Sequence, residues 1–598
     1  MNFFKSRAYA LNDTSLTSAT VQPGAMNRRQ FGLAAAAALA TPSVLQAHSA
    51  VKASGNKVTH NVTVDKIRID TGNFRKRGIG YNKSQIPTIL RFTEGDEVTI
   101  NVTNNLREWT SIHWHGMILP FRQDGVPGIS FKGIAPGTTF TYRFPIAQAG
   151  TYWFHSHSGF QEPDGAYGAI VIEPRNGERH RTQRDYVVQF ADKHPHSGRR
   201  IARNLKLSSD YYNRSQRTVG DLIEDARATS LKAALQSRRM WGRMRMMPSD
   251  IEDVQGFTPL INGQSTSQNW TGLFRPGEKV RLRFINSSAM TYFDVRVPGL
   301  KMTVVEADGN AVEPVTVDEL RIAVSETYDV IVQPRENKVY SIIGESMGRT
   351  ALVRGTLSPK EGYAGAVPGL RPQPLLTMAD MGNMMGSMGM GDHVMQNNTG
   401  MMQMNGMDHS EMGQSGMGGS MQGMDHSNMN MSGNNPSGGS DSFYAEGSGL
   451  TPTAYNGGKF LSYNDLRAAK PLYRHRPPSR TIVLRLTGNM ERYIWSINDV
   501  KYEDAEPIVL NYGERVRLRF INETMMAHPM HLHGMWTIIE TGKGKYNPIK
   551  HAVNVNPGTT VDAEVEVDAP GQWAFHCHLS YHADLGMFRK VVVRGGRA

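Results

Sequence analysis

The 598-residue sequence holds one cysteine, Cys577. That excludes a disulfide within the chain, and also cysteine-based zinc fingers and iron–sulfur clusters. No apolar run reaches the ~18 residues that a membrane-spanning helix needs, so no stable membrane anchor is expected. Sixty-six Lys and Arg face 54 Asp and Glu, a net charge of +12. No basic cluster with interleaved aromatics stands out, so nucleic acid is not expected as a partner. Long helical periodicity is scarce, and residues 220–247 are the best candidate. The body, 39% hydrophobic and 20% charged, has the composition of ordinary soluble protein. Methionine is the abundant exception, with 33 residues.

The first 47 residues read as an address. Arg28-Arg29 precede an apolar stretch at 31–45 and a small-residue exit near Ala47. Basic, then apolar, then small is the order of a secretory signal. The paired arginines suit the twin-arginine route, which exports folded proteins, and place the mature chain in the periplasm.

The remainder is built from short alternating runs broken by Pro-Gly and Asn-Gly, the pattern of β-sandwiches. Residues 277–286 read GEKVRLRFIN, 513–522 read GERVRLRFIN, and 95–104 read GDEVTINVTN, a weaker third copy. Such runs alternate with the period of a half-buried strand. A second repeat joins the two ends of the chain. Pro136 precedes His157 by 21 residues and Pro557 precedes His578 by 21. Gly95 to His113 and Gly513 to His531 are both 18 apart. Long-period similarity of this kind marks duplicated units. The expected fold is all-β: three related Greek-key β-sandwich domains at 55–175, 180–375 and 455–598, with a low-complexity, disordered insert at 376–450. The middle copy lacks the histidines of the other two.

Four His-x-His pairs sit in that register: His113/His115, His155/His157, His531/His533 and His576/His578. Residues i and i+2 of a strand share a face, so each pair projects two imidazoles into one region. A fifth pair, His194/His196, lies outside the repeat and reads as a loop feature. Imidazole suits copper, zinc, iron and nickel alike. Cys577 narrows the choice. It lies between His576 and His578 and so points away from their face. His528, three residues before His531, turns to that same side, where His582 and Met587 can join. Two His, one Cys and a distant Met are the ligands of a blue-copper electron-transfer site. In the first domain, register puts Thr110, Ser156, Gln161 and Ala166 where His528, Cys577, His582 and Met587 stand. All four of these ligands are absent there, while all four cluster histidines remain.

These residues carry a resemblance. His113-Trp114-His115-Gly116, His155-Ser156-His157, His528-Pro529-Met530-His531-Leu532-His533-Gly534 and His576-Cys577-His578 with His582 and Met587 resemble the copper motifs of multicopper oxidases. The likeness covers about 55–598. The twin-arginine signal, three-domain length and Met/His/Asp insert look most like the copper-resistance branch of that family. The resemblance implies three cupredoxin domains and four copper ions. His528, Cys577, His582 and Met587 would hold the type 1 copper. His113 and His531 would hold the type 2 copper, and His115, His155, His157, His533, His576 and His578 the type 3 pair. One-electron oxidations would feed the reduction of dioxygen to water, a step that consumes protons. Asp124 matches a family carboxylate near the type 2 copper and is the candidate catalytic acid; it also reads as a turn residue in Gln123-Asp124-Gly125. Some relatives place a Glu between the last histidines, where Leu579-Ser580-Tyr581 offers none.

Residues 378–431 hold 17 of the 33 methionines and repeat Met-Asp-His-Ser at 407–410 and 424–427. Glycine, serine, asparagine and glutamine fill the rest, so no core can form. Thioethers prefer Cu(I), and the segment is expected to gather it. Met244, Met246 and Met247 read as helix packing. The expected activity is oxidation of Cu(I) by O2 in copper resistance, with periplasmic copper-handling proteins as partners. A laccase-like oxidase of phenolic donors and a copper-sequestering protein are the alternatives.

Overall fold

A computed structural model describes residues 55–215, 217–243, 246–381, 441–489 and 492–596. The proposed export signal, and the stretch 382–440 of the Met-rich insert, lie outside the described residues. The chain is all-β: the described residues form six sheets, of four and four, six and five, and six and five strands.

The three sequence copies form three equivalent strands, Glu97–Asn104, Val280–Asn286 and Arg515–Asn522. Each pairs in parallel with an earlier strand, Lys57–Asp70, Arg184–Lys193 or Arg480–Asn489. Each pairs antiparallel with a later one, Thr139–Pro145, Thr327–Val332 or Thr560–Glu566. The asparagine that ends each copy does the same work three times. Its Nδ2 donates to two backbone carbonyls: Glu108 and Ile134 for Asn104, Thr291 and Ile322 for Asn286, Met526 and Val555 for Asn522. These buried amides close the same corner of each unit, where an unsatisfied group would cost about 1–3 kcal/mol.

One expectation fails in the middle unit. Strand Val280–Asn286 is buried along its whole length, arginines included. Arg281 and Arg283 meet Asp329, with Glu306, Glu178 and Asp185 around them. Arg283 Nη1 also donates to Thr151 Oγ1 of the first unit, 2.9 Å away. The alternating pattern therefore reflects a charged face covered by a neighbouring sandwich. Its homologue Arg515–Asn522 keeps partly exposed arginines.

The segment expected to be helical forms two helices, Val219–Ala228 and Leu231–Arg243. The first is capped by Thr218 and Asp221 in a reciprocal box. Met246 packs into the core from outside both helices; Met244 lies outside the described residues. The described flanks of the low-complexity insert are ordered. Thr377 Oγ1 donates to the Gly447 carbonyl and Gly449 N to Asp380 Oδ2. Met381, Phe443 and Leu450 join the hydrophobic core that surrounds Cys577.

Candidate metal centre

Histidines from both ends of the chain meet. Strand His113–His115 pairs with Gly150–His155, with His113 opposite His155. Strand His528–Leu532 pairs with Gly571–Cys577 in the matching way, with His531 opposite His576. Trp153 and Trp573 on these strands are fully buried, each worth about 4–6 kcal/mol of transfer free energy, which holds the strands rigidly. Each first pair ends in a glycine at positive φ, Gly116 (+78°) and Gly534 (+75°). A Cβ at Gly116 would stand 2.4 Å from His551, and one at Gly534 2.5 Å from Trp573. Only glycine fits that turn.

The two halves interleave. The His113 and His533 rings stack at 3.8 Å, as do those of His115 and His531. His576 Nε2 lies 3.1 Å from His533 Nε2 and 3.3 Å from His157 Nε2. Nδ1 of five of these histidines faces outward to a fixed partner. Those of His113 and His533 meet the Asp124 carboxylate at 3.2 and 2.9 Å, and that of His155 meets Glu162 at 3.0 Å. His531 and His576 donate to the carbonyls of His551 and Cys577. Asp124 caps the short turn Phe121–Gln123, so it is a turn residue whose buried carboxylate reaches two imidazoles.

On the other side of Cys577 the ring atoms are reversed. His528 and His582 present Nδ1, 3.5 and 3.8 Å from Cys577 Sγ and 3.2 Å from each other. Their Nε2 atoms are held by Thr524 Oγ1 at 2.7 Å and Asp253 Oδ2 at 2.8 Å. Tyr493 OH donates to the same Asp253 oxygen, and Trp495 stacks on His582 at 3.7 Å. Met587 is buried in the adjoining core. Its carbonyl accepts from Cys577 N and its amide donates to the His582 carbonyl.

The donor set fits copper. Nε2 of His113, His155, His531 and His578, and both ring nitrogens of His115, are buried without a hydrogen-bond partner. Such orphaned atoms are costly unless a cation takes them. Burial, reinforced by the neighbouring imidazoles, holds His115, His157, His531, His533 and His578 well below the ordinary histidine range, and lowers His576 to about 3. The rings are therefore neutral, with lone pairs free. Burial pushes the Cys577 thiol up, so its thiolate forms only against a cation. Among the described residues, four groups of three imidazole or thiol side chains have donor atoms within 4.8 Å of one another: His528/Cys577/His582, His157/His533/His576, His113/His531/His533 and His115/His531/His551.

The first unit retains the shape of the cysteine-centred site without its donors. Gln161 Oε1 accepts from Thr110 Oγ1 (2.7 Å) and Ser156 Oγ (2.8 Å), and Ala166 is buried beside them. The middle unit has ion pairs on the matching strands, Asp294 with Arg321 and Arg349, and Arg296 with Glu319 and Glu345. The fifth pair stands apart: His194 Nδ1 accepts from His196 N, and His196 Nδ1 bonds the Tyr212 hydroxyl.

Four neighbours of the candidate ligands were not anticipated. Thr524 and Asp253 hold the cysteine-side rings. Glu162 reaches His155, and His551 sits 4.7 Å from the His115 ring. Asp253 and His551 carry no spacing signal, whereas Glu162 follows Gln161, the register partner of His582.

Three family profiles described as multicopper oxidase match residues 61–177, 208–358 and 475–597. The chain belongs to the multicopper oxidase family, and is accordingly a copper-using oxidase. It is 47% identical over 572 residues to copper resistance protein A of Escherichia coli, covering 91% of this chain and 94% of that protein. It is 45% identical over 624 residues to copper resistance protein A of Pseudomonas syringae pv. tomato, covering 95% and 99%. The laccase from Botrytis aclada shares the fold, with a TM-score of 0.61 at 19% identity over 90% of this chain and 88% of that one.

Proposed function

We propose that this oxidase takes electrons from Cu(I) at a type 1 copper held by His528, Cys577, His582 and Met587. They would pass to a trinuclear site held by His113 and His531 (type 2) and by His115, His155, His157, His533, His576 and His578 (type 3). When bound, the four coppers supply one-electron oxidation at the first centre and reduction of O2 to water at the second. The carrying observation is the reversal across Cys577: its thiol meets His528 and His582, while His576 faces His157 and His533. Cys577 and its peptide bonds give electrons a covalent path to His576 and His578. Thr524 and Asp253 lock the rings on the electron-accepting side, and such outer contacts fix tautomer and orientation. Asp124 orients His113 and His533 and is placed to hold a proton close to the site of O2 reduction.

Cu(I) as substrate is supported by the 17 methionines at 378–431, whose ordered flanks pack on the core around Cys577, and by the copper resistance relatives. Export by the twin-arginine route to the periplasm accords with Arg28-Arg29 and with an oxidase that detoxifies copper outside the cytoplasm. The domain limits 55–175, 180–375 and 455–598 follow the three strand copies. A second reading, copper sequestration, draws on the same methionines. O2 uptake separates them: with excess Cu(I) the copper-loaded protein should keep consuming O2, whereas a store stops after stoichiometric oxidation. Sustained uptake with a phenol and none with Cu(I) would establish a laccase instead.

A further inference from the structure

Two carboxylates of the first unit reach the histidine cluster. Asp124 spans His113 and His533. The other, Glu162, stands far in sequence from Leu579-Ser580-Tyr581, the place where some relatives carry a Glu. Its side chain is 9% exposed, and Oε2 lies 3.0 Å from His155 Nδ1. Oε1 has no hydrogen-bond partner and lies 3.9 Å from His578 Nδ1, itself unpartnered. One carboxylate thus faces two imidazoles from opposite ends of the chain.

We propose that Glu162 is a positioning residue that binds Nδ1 of both His155 and His578, so that both rings turn Nε2 toward one copper. The proposal rests on the reading of these two histidines as type 3 ligands. A carboxylate has two acceptor oxygens and no proton of its own to offer when ionised, so it can accept both Nδ1–H groups at once. Each ring then keeps its lone pair on Nε2, and both Nε2 atoms are buried and free of protein partners. The two rings lie 5.0 Å apart, and His115 stands 4.8 Å from His578 as the third imidazole of the group.

Glu162 is held in place from both sides. Gln161 is fixed by Thr110 and Ser156. Asp164 is fixed by Lys76 Nζ at 3.0 Å and Gly198 N at 3.2 Å. Gly165, at φ +118°, closes the loop through its amide to the Glu162 carbonyl. In register, this is the loop that in the third unit carries His582 to the cysteine-centred site. The first unit has lost that site, and the same loop serves the cluster. Preorganised outer contacts of this kind govern metal affinity by roughly 10–100-fold.

The test compares wild type, Glu162→Gln and Glu162→Ala after copper loading. Copper per chain is measured during titration with a competing chelator, alongside the blue absorption of the cysteine-bound copper. Glutamine offers one acceptor and one donor where two donors need accepting, so it should fail as alanine does. Both variants should lose cluster copper at roughly 10–100-fold lower chelator strength with the blue band unchanged. Retention equal to wild type in the glutamine variant overturns the proposal, as does loss of the blue band in parallel with the cluster copper. A wild-type protein that holds only its blue copper would instead remove the reading of the cluster on which the proposal stands.

Discussion

Replacing Asp253 with asparagine removes one charge next to the cysteine-centred site and little else. Asp253 Oδ2 accepts from His582 Nε2 at 2.8 Å and from the Tyr493 hydroxyl. An asparagine whose amide oxygen takes that place still accepts from both His582 and the tyrosine hydroxyl. The ring on His582 stays in place, pressed by Trp495 at 3.7 Å. What is lost is the charged partner, and a hydrogen bond to an ionised group is worth about 1.5–3 kcal/mol. A nearby negative charge favours the oxidised, more positive metal centre, so its loss should raise the reduction potential. At 59 mV per tenfold change for one electron, that energy corresponds to roughly 60–130 mV. A redox titration of the blue absorption measures it directly, with the intact band as a control for geometry. An unmoved or lowered potential in Asp253→Asn would refute the assignment of Asp253 and His582 to a metal-linked pair.

Cys577→Ser should abolish the blue absorption and turnover while copper bound by the histidine cluster remains, read by copper content per chain. Asp329→Asn strips the shared partner from Arg281 and Arg283, both buried. It should destabilise the protein by about 3–5 kcal/mol, read by denaturant unfolding of wild type and variant. Burial holds the Lys193 amine down at about 8, below the unfolded value near 10.5. The folded state therefore gives up this proton first, and the stability missing below about pH 8 returns as pH rises toward 10.5. Lys193→Met should be more stable at neutral pH by about 3 kcal/mol, and its advantage should vanish by pH 10.5 in unfolding curves taken across that range.

The histidine pairs, the lone cysteine and the three strand copies were legible because each is a local pattern with a fixed period. The terminal asparagines of the copies, Asn104, Asn286 and Asn522, prove to be the shared corner of each unit. Thr110, Ser156 and Gln161, expected as placeholders, do come together. What escaped the sequence depends on contacts between units. Arg281 and Arg283 look solvated by their spacing, but carboxylates of their own unit and, for Arg283, Thr151 of the first sandwich enclose them. Asp253 reaches His582 across 329 residues of chain and Asp124 reaches His533 across 409, separations at which no periodicity survives. His551 owes its place beside His115 to the room left by Gly116.

Anomalous diffraction at the copper edge from crystals of the copper-loaded protein tests the central claim most directly. One peak should touch Cys577 Sγ and Nδ1 of His528 and His582, and a separate group of peaks should lie among Nε2 atoms of the paired histidines from both ends of the chain. A sulfur without metal, or a single peak shared by the paired histidines, would contradict it.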